Sequence, residues 1–116
     1  MNKNVYKTKE WHRARYYCFK RYPVCEACKR VGKETKAIVA DHMLHIDQCQ
    51  NFNIDIYEQH NLVGLCYKCH SKVTREFDNL KRWEEFVTDQ TINLVHMFQI
   101  KYDVNKLQYD DDGFAI

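Results

Sequence analysis

Two short cysteine pairs are the first residues here with chemistry in their spacing: Cys25-Glu-Ala-Cys28 and Cys66-Tyr-Lys-Cys69, separated by 37 residues. At this cysteine content chance alone produces on the order of 0.3 such pairs in the chain, so two are a signal. Two intervening residues let both thiolates of a pair reach one ion from a tight turn, and two pairs complete the tetrahedral four-sulfur shell that Zn²⁺ accepts. A shell filled by four protein ligands has no position for water or substrate, so a zinc held here is structural. The alternatives are a redox dithiol, whose thioredoxin-like flanks are missing, and buried free thiols. Cys18 falls on an apolar helical stripe and reads as core, while Cys49 has no assigned role.

Between the pairs lies Asp41-His42, and His70 directly follows the last cysteine; with Asn61 they form His42-x18-Asn61-x8-His70. Around them run Trp11-His-Arg-Ala-Arg15, Tyr22-Pro-Val-Cys-Glu-Ala-Cys28, Ala40-Asp-His-Met-Leu-His-Ile46 and His60-Asn-Leu-Val-Gly-Leu-Cys-Tyr-Lys-Cys-His-Ser-Lys72. In this order the chain resembles the HNH endonuclease family, specifically the small zinc-stapled bacteriophage type, over roughly residues 5–78. It departs at His45, where the family often has proline, and at Val73, where a basic residue is commoner.

The resemblance implies a ββα-metal (His-Me finger) core around one catalytic divalent ion, Mg²⁺ or Mn²⁺ being the first choices. It assigns the metal to Asp41 and His70, the base to His42, and a tethering, orienting role to Asn61. It also implies double-stranded DNA as substrate, with Lys68, Lys72 and Arg75 near the cleaved strand, and phage terminase subunits as partners. The residues themselves suit that chemistry. Phosphodiester hydrolysis requires a base for water, positive charge on the phosphoryl oxygens and stabilisation of the departing 3′ oxygen. A neutral imidazole is available as base near pH 7, and a carboxylate with an imidazole can hold a divalent ion that keeps open positions. His45 is a further candidate for phosphate or metal contact, and His60 for an auxiliary role.

These side chains need elements to hold them. Thr8 predicts the cap of a helix running to about Tyr22, with Trp11, Ala14 and Cys18 on one face and Arg13, Arg15, Lys20 and Arg21 on the other, ended by Pro23. Lys36 to Met43 reads as a strand, Asp47 to His60 as a long polar loop, and Leu62-Val63-Gly64-Leu65 as a second strand. From about Tyr67 the pattern turns helical through Val73, Phe77, Leu80, Trp83 and Val87. Because successive strand residues face opposite ways, Asp41 and His42 can share a site only at a strand end or bulge. Beyond Gln90 the alternation of Ile92, Leu94, Phe98, Ile100, Tyr102 and Val104 reads as a strand, with a helix as the alternative; Asp110 to Gly113 reads as a solvated tail.

A chain of 116 residues with 45% hydrophobic and 29% charged residues fits one small α+β domain and excludes a multidomain enzyme. We divide it into a nuclease domain over residues 1–90 and a C-terminal extension over 91–116, which either completes the core or forms a docking or dimerising surface; monomer and dimer are both open. Apolar runs as short as Ala37-Ile38-Val39-Ala40 do not span a membrane, and without a secretion signal the expected location is the cytoplasm. The net charge of +2 hides a gradient, since residues 1–36 carry eleven Lys/Arg against three Asp/Glu. Such a basic front, with Arg13, Arg15, Lys20, Arg21, Lys29, Arg30, Lys33 and Lys36, points to phosphate contacts that carry affinity without reading sequence. Two rivals remain: a non-catalytic zinc-knuckle DNA-binding protein, which has no use for Asp41, His42 and His70, and a homing or restriction nuclease, which would select one sequence.

Overall fold

The computed structural model describes residues 3–106. A 3-10 segment, Lys3–Lys7, leads into helix α1 (Lys9–Arg21). Thr8 caps it: its Oγ1 accepts from the Trp11 N–H at 3.1 Å and lies 3.0 Å from the Tyr57 hydroxyl. Beyond Pro23 come a single turn α2 (Glu26–Lys29), strand β1 (Val39–His42), a turn α3 (Ile46–Cys49), strand β2 (Leu62–Leu65) and helix α4 (Tyr67–Val73). A two-residue-per-strand hairpin, β3 (Val87–Thr88) and β4 (Thr91–Ile92), precedes helix α5 (Leu94–Lys101). The described residues thus form one α+β domain with two small antiparallel sheets. None of the described helices is long and apolar enough to cross a membrane.

β1 and β2 pair antiparallel in unbroken register, from Val39 opposite Leu65 to His42 opposite Leu62. All four β2 residues are buried because the ribbon is covered on both faces. Leu62 packs with Trp11, Ala14 and Cys18 of α1, while Val63 and Leu65 enter the main core with Leu44, Val73, Phe77, Phe86, Met97 and Tyr102. Gly64 faces the end of α1 at a distance no side chain tolerates: a Cβ there would lie 2.7 Å from Tyr22 Cβ and 2.9 Å from Ala37 Cβ. That glycine sets how closely α1 approaches the sheet.

Three expectations are corrected. The segment after β4 is a helix, not a strand: Asn93 Oδ1 accepts from the His96 N–H at 3.0 Å, and the cap selects a helical turn for residues whose polarity pattern fits either period. The helix after Cys66 does not run on to Val87. It widens into a π-turn over Thr74–Asp78, stops where Lys81 takes φ 52°, and restarts as a 3-10 segment, Arg82–Phe86. The stretch from Asp47 to His60 is not a featureless loop but holds part of α3 and two 3-10 turns, Gln50–Phe52 and Gln59–Asn61. Side chains cap these turns locally, His45 accepting from the Asp47 N–H and Glu58 from the His60 N–H, which leaves no hydrophobic period to read. The acidic run at 110–113 lies outside the described residues.

Candidate active site

The four paired cysteines converge. All four sulfurs lie within 4.8 Å of one another, with Cys28 Sγ 3.6 Å from Cys69 Sγ and 4.0 Å from Cys66 Sγ. A disulfide needs about 2.05 Å, whereas a tetrahedron with metal–sulfur bonds of about 2.3 Å has edges of roughly 3.8 Å. The spacing and the soft donor set therefore fit a metal ion such as zinc. Asn105 Nδ2 donates to Cys69 Sγ at 3.0 Å and is itself held by Lys72 Nζ through its Oδ1 at 2.8 Å. The two remaining cysteines are separate: Cys18 and Cys49 are fully buried, and burial pushes both thiols up to about 11, so they are inert core groups. Cys49 Sγ contacts Leu44 O at 3.4 Å.

A cavity of about 530 Å³ opens beside β1, and Asp41, His42 and His70 all line it. Asp41 and His42 do occupy opposite faces of the ribbon: Asp41 meets Tyr102 on the main-core side, and His42 meets Trp11 on the α1 side. They share the cavity because β1, among the described residues, pairs only with β2, and His42 is its last residue. No bulge is required; the strand's unpaired edge and end let both side chains reach one space. His70, in α4, brings Nε2 to 3.4 Å from Asp41 Oδ1. Two ligands bonded to one ion at about 2.1 Å lie roughly 3.0–3.4 Å apart, depending on geometry, so this oxygen–nitrogen pair fits two positions of a divalent ion.

His42 is tightly held. Its ring stacks on Trp11 at 5.3 Å and meets the edge of Tyr6 at 6.3 Å, and its Nε2 pairs with Ile56 O at 2.9 Å. With Nε2 donating to that carbonyl, Nδ1 keeps the lone pair. Burial lowers the His42 pKa and outweighs the Ile56 carbonyl and the Asp41 charge, which act the other way, so the neutral imidazole is favoured. Asn61 is buried, and its side-chain amide is bonded to Leu44. Its Oδ1 accepts from Leu44 N at 2.8 Å and its Nδ2 donates to Leu44 O at 2.9 Å, clamping the chain just past the strand end.

The expected DNA contacts divide. Arg13, Lys68 and Arg75 are exposed. Arg15 is also exposed but reaches Ile38 O and lies over the Phe19 ring, Lys20 lies over Tyr16, and Arg21 bonds Gln59 O. Lys72 is turned inward to Asn105. His45 lines the cavity while capping α3. Residues missed in the sequence are Trp11 and Tyr6 as walls for His42, and Asp78, Lys101 and Tyr102 beneath Asp41. Asp78 had a signal, since His70, Thr74 and Asp78 follow at four-residue steps and all line the cavity. Lys101 and Tyr102 had none. Comparison of the chain with family models, with curated proteins and with solved structures returns no match.

Proposed function

We propose that this protein is a metal-dependent DNA endonuclease of the HNH type, with a structural zinc at Cys25, Cys28, Cys66 and Cys69. The observation that carries the proposal is the approach of His70 Nε2 to 3.4 Å from Asp41 Oδ1 in the cavity that His42 also lines. A strand–strand–helix unit, β1, β2 and α4, supplies all three side chains, in the order the family resemblance implies. Asp41 and His70 would hold a divalent ion, Mg²⁺ or Mn²⁺ by preference, which would supply positive charge to the phosphoryl and departing oxygens.

The chain's own residues do the rest. His42, neutral and fixed between Trp11, Tyr6 and the Ile56 carbonyl, takes a proton from the attacking water at Nδ1. The fixed ring removes the need to reorient during the reaction. Asn61 holds the strand end from which Asp41 and His42 project. The basic residues of α1, with Lys68 and Arg75 on the α4 side, bind phosphates without reading bases, so affinity falls steeply with salt.

The deciding experiment is nicking of supercoiled plasmid by purified protein across a series of divalent ions. Wild type is expected to nick with Mg²⁺ or Mn²⁺, and His42→Ala to lose about 10²–10⁴-fold in rate while keeping its zinc and its circular dichroism. Equal nicking by His42→Ala, or no nicking by wild type with any ion, would instead support a zinc-stapled DNA-binding protein.

A further inference from the structure

Lys101 ends α5, and its side chain is 0% exposed. A buried ammonium needs partners in place of lost water, and Lys101 has four. Nζ donates to His42 O at 3.1 Å and Met43 O at 2.7 Å, and it pairs with Asp41 Oδ2 at 3.3 Å and Asp78 Oδ1 at 3.0 Å. The next residue, Tyr102, is equally buried and donates its hydroxyl to Asp41 Oδ2 at 2.8 Å. The two oxygens of Asp41 therefore differ: Oδ2 has two donors on it, and Oδ1 is the one near His70 Nε2.

Apolar side chains in place of the whole ionic cluster would fill the space under β1 with little loss of stability, since buried ionic clusters seldom stabilise more than good packing does. The cluster is better explained by what it does to Asp41. We propose that Lys101 and Tyr102 are positioning residues that restrict Asp41 to a single ligating oxygen, and that Lys101 also draws Asp78 away from the ion. The idea rests on the nuclease reading through the ion that Asp41 and His70 hold. With Oδ2 tied down and Asp78 engaged, the protein contributes two ligands, and the ion's remaining positions stay open to phosphate and water. Removing partners behind metal ligands commonly costs roughly 10–100-fold in affinity or activity; Lys101 differs in placing a positive charge on the ligand side of the ion, which opposes cation binding.

The test measures Mn²⁺ binding by the electron paramagnetic resonance of free Mn²⁺, alongside plasmid nicking at saturating Mn²⁺, for wild type, Asp41→Asn, Tyr102→Phe and Lys101→Met. Freeing Oδ2, and in Lys101→Met also Asp78 from a nearby positive charge, is expected to tighten Mn²⁺ binding at least about threefold and to slow nicking about tenfold or more. Damage to the fold alone would lower both, so opposite signs are the signature. Should Lys101→Met not fold, the charge-balanced Lys101→Met/Asp78→Asn and the conservative Tyr102→Phe carry the same expectation. Unchanged or weaker Mn²⁺ binding in the folded variants overturns the positioning role alone, provided wild type nicks and loses Mn²⁺ on Asp41→Asn. Mn²⁺ binding that survives Asp41→Asn, or is absent from wild type, overturns it together with the assigned metal ligands. Asp41-dependent binding that tightens in the variants of a protein that never nicks upholds the positioning role and removes the nuclease.

Discussion

Asn61 acts as a piece of backbone. Fully buried, its amide presents one acceptor and one donor to Leu44 as a neighbouring strand would, one residue before β2 begins. Replacing it with alanine leaves Leu44 N unpaired in a dry interior, at about 1–3 kcal/mol, and Leu44 O with only the weak Cys49 thiol donor. Asn61→Ala is therefore expected to lose on the order of 1–4 kcal/mol of stability in urea denaturation and to nick more slowly even where it is still folded, because the strand end carrying Asp41 and His42 is released. Full nicking by a destabilised Asn61→Ala would show that the clamp serves stability only. The contrast with Cys49 is instructive. Its sulfur lies 3.5 Å from Asn61 Nδ2, yet its burial leaves it an inert filler of the same clamp.

Helix α5 ties the end of the described chain to both sites. Arg30, beside the cysteine cluster, donates to Phe98 O and Gln99 O and pairs with Asp103, while Asn105 reaches Cys69 and Lys101 reaches Asp41. Met97 and Tyr102 are 0% exposed within the main core. Described residues after Gln90 thus contribute to the core, and deletion of 91–116 is expected to give a chain without near-ultraviolet dichroism that binds a hydrophobic dye. A truncated protein with a native spectrum would refute this. Much of the rest was legible: Thr8 as a cap, the stripe of Trp11, Ala14 and Cys18, the strands bearing Asp41 and Leu62, and the convergence of two cysteine pairs follow from local periodicity and ligand spacing. α5 was not legible, because Ile92 to Val104 satisfies both periods and its direction is decided by the Asn93 cap and by tertiary burial. Nor was Lys101, since a lysine's solvated and buried states look alike in sequence until the carbonyls and carboxylates it meets have been assembled from Asp41 to Asp78.

At the scale of the whole molecule, 104 described residues must hold a ribbon of two four-residue strands at a cavity, which is little regular structure for the purpose. The cysteine cluster makes up the difference by joining the turn after α1 to the start of α4, the same helix that delivers His70 to Asp41. A four-cysteine zinc is worth about 10–16 kcal/mol in small peptides, against roughly 5–15 kcal/mol for the whole stability of a domain this size. Removing it should therefore cost the fold, not just a local turn. Treatment with a zinc chelator is expected to abolish both helical dichroism and nicking even in excess Mg²⁺, and stoichiometric Zn²⁺ to restore both under reducing conditions. A chain that keeps its dichroism after a thiol-sensitive zinc assay shows the metal gone would mean that α5 and the core suffice without it. Loss of nicking with dichroism retained would place the zinc in the chemistry, against the closed four-sulfur shell. The two proposed metals are thus expected to separate by what their removal does: loss of a cysteine-bound ion unfolds the protein, and loss of an ion at Asp41 and His70 leaves it folded and silent.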